Sequence, residues 1–144
     1  MGDVMARLEI IGTEELEIKL SKLADPELMK DIVMAGAQPV ADEIRKSLER
    51  NLQGSKYSHG DLLKSLGIAP PDIDRNGNAN TKIGFHGYDR KGVPNAIKAR
   101  VMESGSSKQK KRPFVRPAVR RSRKKSIEAM QKKLDEKVEN IMKG

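Results

Sequence analysis

Cysteine and tryptophan are absent from this 144-residue chain, and its aromatic side chains are Tyr57, Phe85, Tyr88 and Phe114. Without cysteine there is no disulfide framework, no thiolate metal site and no thiol nucleophile. Leu, Ile, Val and Phe together supply 32 residues, so the core is expected to be thin, and self-association is one way in which a small core is completed. Long apolar runs are missing as well. The opening residues, MGDVMARLEIIG, carry Asp3 and lack the apolar stretch of a signal peptide, and no later run approaches membrane-spanning length. A soluble, cytoplasmic protein without membrane contact is expected, in one domain spanning residues 1–144.

What is plentiful is positive charge in one place. Lys108, Lys110, Lys111, Arg112, Arg116, Arg120, Arg121, Arg123, Lys124 and Lys125 fall within residues 108–125 with no acid among them. Residues 1–107 carry fifteen basic and sixteen acidic side chains, and residues 126–144 four of each, so the net charge of +9 is local. Such a segment draws acidic surfaces or nucleic-acid backbone toward one place. The plainer alternative is a solvated loop and helix face.

Arg7–Ile11 predicts a strand, Thr13 a helix N-cap, and Leu16, Leu20 and Leu23 a short amphipathic helix. Asp25-Pro26 is a start signal for a long helix to about Leu52, carried by Leu28, Ile32, Val40, Ile44 and Leu48. Pro39 is expected to bend it, while Ala35, Gly36 and Ala37 allow close packing against a neighbour. Residues 53–61 read as loop, and residues 61–66 as either one helical turn or the lead into a strand. The Asn76-Gly77 pair is a hairpin signal between strands at about 64–70 and 81–87. After a second turn over 89–95, Ile97, Ala99 and Val101 alternate with Lys98 and Arg100, which predicts a strand over 97–102. Residues 103–109 read as a flexible loop, and a basic loop covers about 104–112. A C-terminal helix is expected over about 116–142, with Arg120–Lys125 basic nearly all round and so projecting into solvent or toward an acidic partner. The fold class is α+β: a small, mainly antiparallel sheet of three or four strands packed against the long helix and the C-terminal helix.

No catalytic, cofactor-binding or metal-ligating constellation emerges. His59 and His86 lack metal-ligand spacing. Asp72-Ile73-Asp74-Arg75-Asn76-Gly77 opens like a calcium loop, but Ile83 stands where the bidentate glutamate belongs, and a turn explains the same residues. Gly84, Gly87 and Gly92 do not make a phosphate loop. For nucleic acid, the basic run has the charge but not the interleaved aromatics of a stacking surface, which leaves nonspecific phosphate contact. A basic nucleic-acid-binding protein, or a small ribonuclease toxin, is the alternative class.

Ala99-Arg100-Val101-Met102-Glu103-Ser104-Gly105-Ser106, a variable basic gap, and then Arg112-Pro113-Phe114-Val115-Arg116-Pro117-Ala118 resemble the signature of the tail-completion, or head-tail joining, proteins of long-tailed phages and prophages. His59–Leu66 and Leu8–Gly12 are similar to further segments of that family. Glu103, Gly105, Arg112, Pro113, Phe114, Pro117 and Ala118 are the positions that carry the motif. The resemblance implies a structural protein without enzymatic activity or cofactor, located in the virion neck and in the host cytoplasm during assembly. It implies a homo-oligomeric ring, expected to be a hexamer, between a head-completion protein and the tail tube protein, around passing DNA that it could touch nonspecifically. Lys108, Lys110, Lys111, Arg112, Phe114, Arg116, Arg120 and Arg121 are the expected partner contacts. For Phe114 an ordinary place in the core is an equal alternative.

Overall fold

The computed structural model describes residues 6–11, 14–20, 25–53 and 60–143. Its elements are β1 (Ala6–Ile11), β2 (Glu15–Leu20), α1 (Pro26–Leu52), α2 (Gly60–Ser65), β3 (Leu66–Ile68), β4 (Asp72–Ile73), β5 (Ala79–Phe85), α3 (Asn95–Ser104) and α4 (Val115–Lys143). The strands form one antiparallel sheet in the order β1-β2-β5-β3, with β4 also pairing with β5. The α+β class stands, with one strand more than expected.

Alternation explains the sheet's two faces. Leu16, Ile18 and Leu20 of β2 are buried beside Leu8 of β1 and Ala79, Thr81, Ile83 and Phe85 of β5. The opposite face carries Arg7, Glu9, Glu17, Lys19 and Lys82 and stays at least partly exposed. The helix expected around Leu16 and Leu20 is therefore a strand. The leucines alone stand four and three residues apart, as on a helix, but Ile18 between Leu16 and Leu20 makes the apolar period two. Thr13 and Leu23, also invoked for that helix, lie outside the described residues.

On the buried face sits α1, which Asp25 caps by accepting the Glu27 N–H at 3.0 Å ahead of Pro26 in the first turn. The helix continues through Pro39. Gly36 serves the close packing expected of it: a Cβ there would lie 2.6 Å from Cγ of Met130 on α4, and the Ser126 hydroxyl donates to the Gly36 carbonyl at 2.8 Å. Thus α4 packs closely along α1. Arg120–Lys125 does have a buried side, contrary to expectation, because Ser122 supplies it and Ser126, one turn on, continues it. Both hydroxyls spend their protons on backbone carbonyls, Ser122 on Ala118 at 2.7 Å, which makes a small polar residue acceptable in the core.

The region 97–102 is helical, which corrects the expected strand. Asn95, Ala99, Met102 and Glu103 are its buried residues, a helical spacing, whereas Ile97 is 47% exposed. Pro94 before the segment and Gly105 after it are the boundary signals that the short alternation obscured. Residues 61–66 resolve into both alternatives, the turn of α2 followed directly by β3.

Two five-residue turns share one construction. Asp74 accepts the N–H groups of Asn76 and Asn78, and Asp89 those of Lys91 and Val93, with Gly77 and Gly92 both at φ +84. The sequences DRNGN and DRKGV are thus the same turn twice. Each aspartate also meets a lysine, Lys19 at 3.4 Å and Lys98 at 3.2 Å. The first turn makes a hairpin at the Asn-Gly pair, but its first strand is β4 rather than the strand expected over about 64–70, of which only Leu66–Ile68 is extended. These backbone donors hold both carboxyls below the ordinary value, with the lysines adding to the effect. The calcium-like spelling around Asp74 is accounted for as an aspartate-capped turn.

Candidate interaction surface

The basic segment is mounted between α3 and α4, and Glu103 determines how. Helix α4 begins on Phe114, whose carbonyl accepts the Ala118 N–H at 3.3 Å, yet a phenylalanine cannot accept the first helical N–H groups as serine or aspartate would. The buried Glu103 carboxylate does so from α3. Its Oε1 accepts from the N–H of Phe114 at 2.8 Å and of Val115 at 2.7 Å, and its Oε2 accepts from Arg116 at 3.2 Å. Pro117, next in line, has no N–H to satisfy. The negative charge also meets the positive end of the α4 dipole.

With capping handled from elsewhere, the Phe114 side chain is free to enter the core. It is fully buried and meets Phe85 edge to face, 5.7 Å between ring centroids. Of the two roles considered for Phe114, the core position is the one its side chain occupies. Val115 and Ala118 are buried beside it.

Between the two helices the chain makes a tethered loop. Gly105 ends α3 at φ +80, and a Cβ there would come within 3.0 Å of the Lys111 backbone nitrogen. The base is closed by the Arg112 N–H donating to the Met102 carbonyl at 2.7 Å. Arg112 is also tied to the end of α1: its guanidinium donates to the Asn51 carbonyl, and the Asn51 amide donates to the Arg112 carbonyl, both at 2.8 Å. Ser106 and Gln109 exchange backbone bonds across the tip. The flexible loop expected over 103–109 is thus part helix, Glu103 and Ser104 closing α3, and part hydrogen-bonded hairpin.

The expected contact residues separate by position. Lys108, Lys110, Lys111, Arg112 and Pro113 are exposed on the loop, and Arg116 and Arg120 on α4. Arg121 is exposed but engaged, 3.4 Å from Glu43, with Lys125 4.0 Å from the same carboxylate. Arg123 and Lys124, part of the basic run but not among the expected contacts, occupy one side of α4 with Arg116 and Arg120 by their spacing, and these four make no ion pair with any described residue. The loop and that helix side join into one basic surface.

Elsewhere, a shallow open depression of about 400 Å³ on the polar sheet face is lined by residues including Glu15, Gly67, Lys82, Gly84 and His86, with no hydroxyl among its lining side chains. Among the described residues, no three His, Asp or Glu side chains form a group able to hold a metal ion, and no helix is long and apolar enough to cross a membrane. His59 lies outside the described residues. Compared with models of known protein families, with curated proteins and with solved structures, the chain matches none of them.

Proposed function

We propose that this chain is a structural protein that completes a phage or prophage tail and joins it to the head-completion ring, acting as a homo-oligomer without catalytic activity. The observation that carries the reading is the Glu103 cap. It gives a physical reason for the glutamate, the glycine and the Arg-Pro-Phe run of the motif to occur together: they build one rigid mount that presents Lys108, Lys110 and Lys111 to a partner. A rigid mount suits a docking loop, because the ordering entropy has already been spent in folding.

The test changes Lys108, Lys110 and Lys111 to Glu and leaves Arg112, which ties the loop to Asn51. Stability is expected to change little, since exposed substitutions usually cost under about 0.5 kcal/mol each. In an assembly assay, filled heads and free tails are expected to accumulate separately. Normal joining by the variant would remove the docking role from the loop.

A nucleic-acid reading has its own supporting observation: Arg116, Arg120, Arg123 and Lys124 on α4 are exposed and make no ion pair with any described residue. On that reading the protein binds duplex DNA at physiological salt, with log affinity falling steeply against log salt. Changing these four residues to Glu would then flatten the slope by several units.

A further inference from the structure

Strand β1 is hydrogen-bonded to β2 along Ala6–Ile11, and among the described residues no strand covers its other edge. An open edge presents a row of unpaired N–H and C=O groups, and such edges are commonly blunted by proline, lysine, a bulge or short length. ARLEII has no proline, lysine or bulge and pairs in unbroken register over six residues, and the edge charges it does carry, Arg7 and Glu9, are of opposite sign.

Its outward charges are left unmatched. Arg7 stands opposite Lys19, and Glu9 opposite Glu17, like charge against like. Lys19 turns away to Asp74, while neither Arg7 nor Glu9 makes an ion pair with any described residue. On the inward face Ala6 and Ile10 are only partly buried, unlike Leu8 between them.

We propose that β1 pairs antiparallel with β1 of a second copy about a two-fold axis through Leu8, joining two sheets into one. The charges select this register. An axis through Arg7 or through Glu9 would set that residue against itself. A register offset by one residue would set outward side chains against inward ones. With Leu8 opposite Leu8, each Arg7 faces the Glu9 of the other copy, and each Ala6 lies beside an Ile10 that gains cover. The pairing does not rest on the head-tail reading. It is isologous and so stops at a dimer, unlike the heterologous contacts that close a polar ring.

Sedimentation over a range of concentrations tests it, using wild type, Arg7→Glu, Glu9→Arg, the exchanged double variant Arg7→Glu/Glu9→Arg, and an equimolar mixture of the two single variants. Wild type is expected to show a monomer-dimer equilibrium. Each single variant turns two attractive pairs repulsive and is expected to dimerise about tenfold more weakly. The exchanged double variant and the mixture restore opposite charges and are expected to associate as tightly as wild type. The double variant keeps the test decisive even if a single variant folds poorly. A wild type that stays monomeric, single variants that associate as tightly as wild type, or a double variant that fails to recover would each overturn the pairing.

Discussion

Glu103 and Phe114 are joined by a 2.8 Å hydrogen bond from the Phe114 backbone N–H to Glu103 Oε1, across an eleven-residue separation in sequence. The carboxylate ends one helix and starts the next, and the basic loop is what lies between. Glu103→Ala would leave the buried N–H groups of Phe114 and Val115 without acceptors, with a loss of about 3 kcal/mol expected in urea unfolding. Glu103→Gln keeps one acceptor oxygen and loses the charge, so roughly half that loss is expected. Equal stability of all three proteins would show that the cap contributes nothing.

Two effects compete in Gly36→Ala. Alanine favours the helix by about 1 kcal/mol, but its Cβ would sit 2.6 Å from Met130 Cγ, in a tight crossing of α1 with α4, and overpacking costs typically 1–3 kcal/mol. Overpacking should prevail, with a net loss of about 1 kcal/mol. Combining it with Met130→Ala should give less than the sum of the two single losses, because the smaller side chain makes room for the added methyl.

The Asp61 carboxyl is lowered from 3.8 to about 2, chiefly by its side-chain hydrogen bond with Arg90 and then by the Arg90 backbone N–H. Because the folded value is depressed, the pair's stabilisation is present above the ordinary carboxylate value and lost as pH falls from about 4 through about 2. Arg90 is 72% exposed, so the effect on stability is small. Arg90→Ala should return the Asp61 titration toward 3.8 in carboxyl NMR. The two proteins should converge in stability below pH of about 2.

Gly92 has φ +84 and open space where a Cβ would go. Gly92→Ala is therefore strained through its backbone alone, with a loss of about 1 kcal/mol expected. Asparagine tolerates this conformation better, so Gly92→Asn should cost less in the same thermal unfolding measurement.

Long periodic elements were legible from residues alone. The Asp25-Pro26 start, the spacing of α1 and the extent of α4 follow from rules that act within a few residues, and the Asn-Gly turn did too. Segments six to ten residues long were not. ELEIKL and NAIKARVMES each satisfy two periodicities when only some apolar residues are counted, and neighbours decide between them. β2 is a strand because β1 and β5 flank it, and α3 a helix because Ala99, Met102 and Glu103 must all turn inward.

At the candidate surface the division is of the same kind. Charge is additive along a chain, so residue order alone placed the basic field over 108–125, and local stereochemistry determined that Pro113 and Pro117 constrain the entry to the last helix. Which charges are available was decided only in the fold, because an ion pair depends on what lies across the contact: Glu43, on α1, takes Arg121 and Lys125 and leaves Arg116, Arg120, Arg123 and Lys124 to solvent. The tertiary structure likewise decided that the motif's glutamate is a helix cap. A carboxylate accepts whichever donors are brought within about 3 Å, and only the packing of α3 beside the start of α4 brings the right ones there.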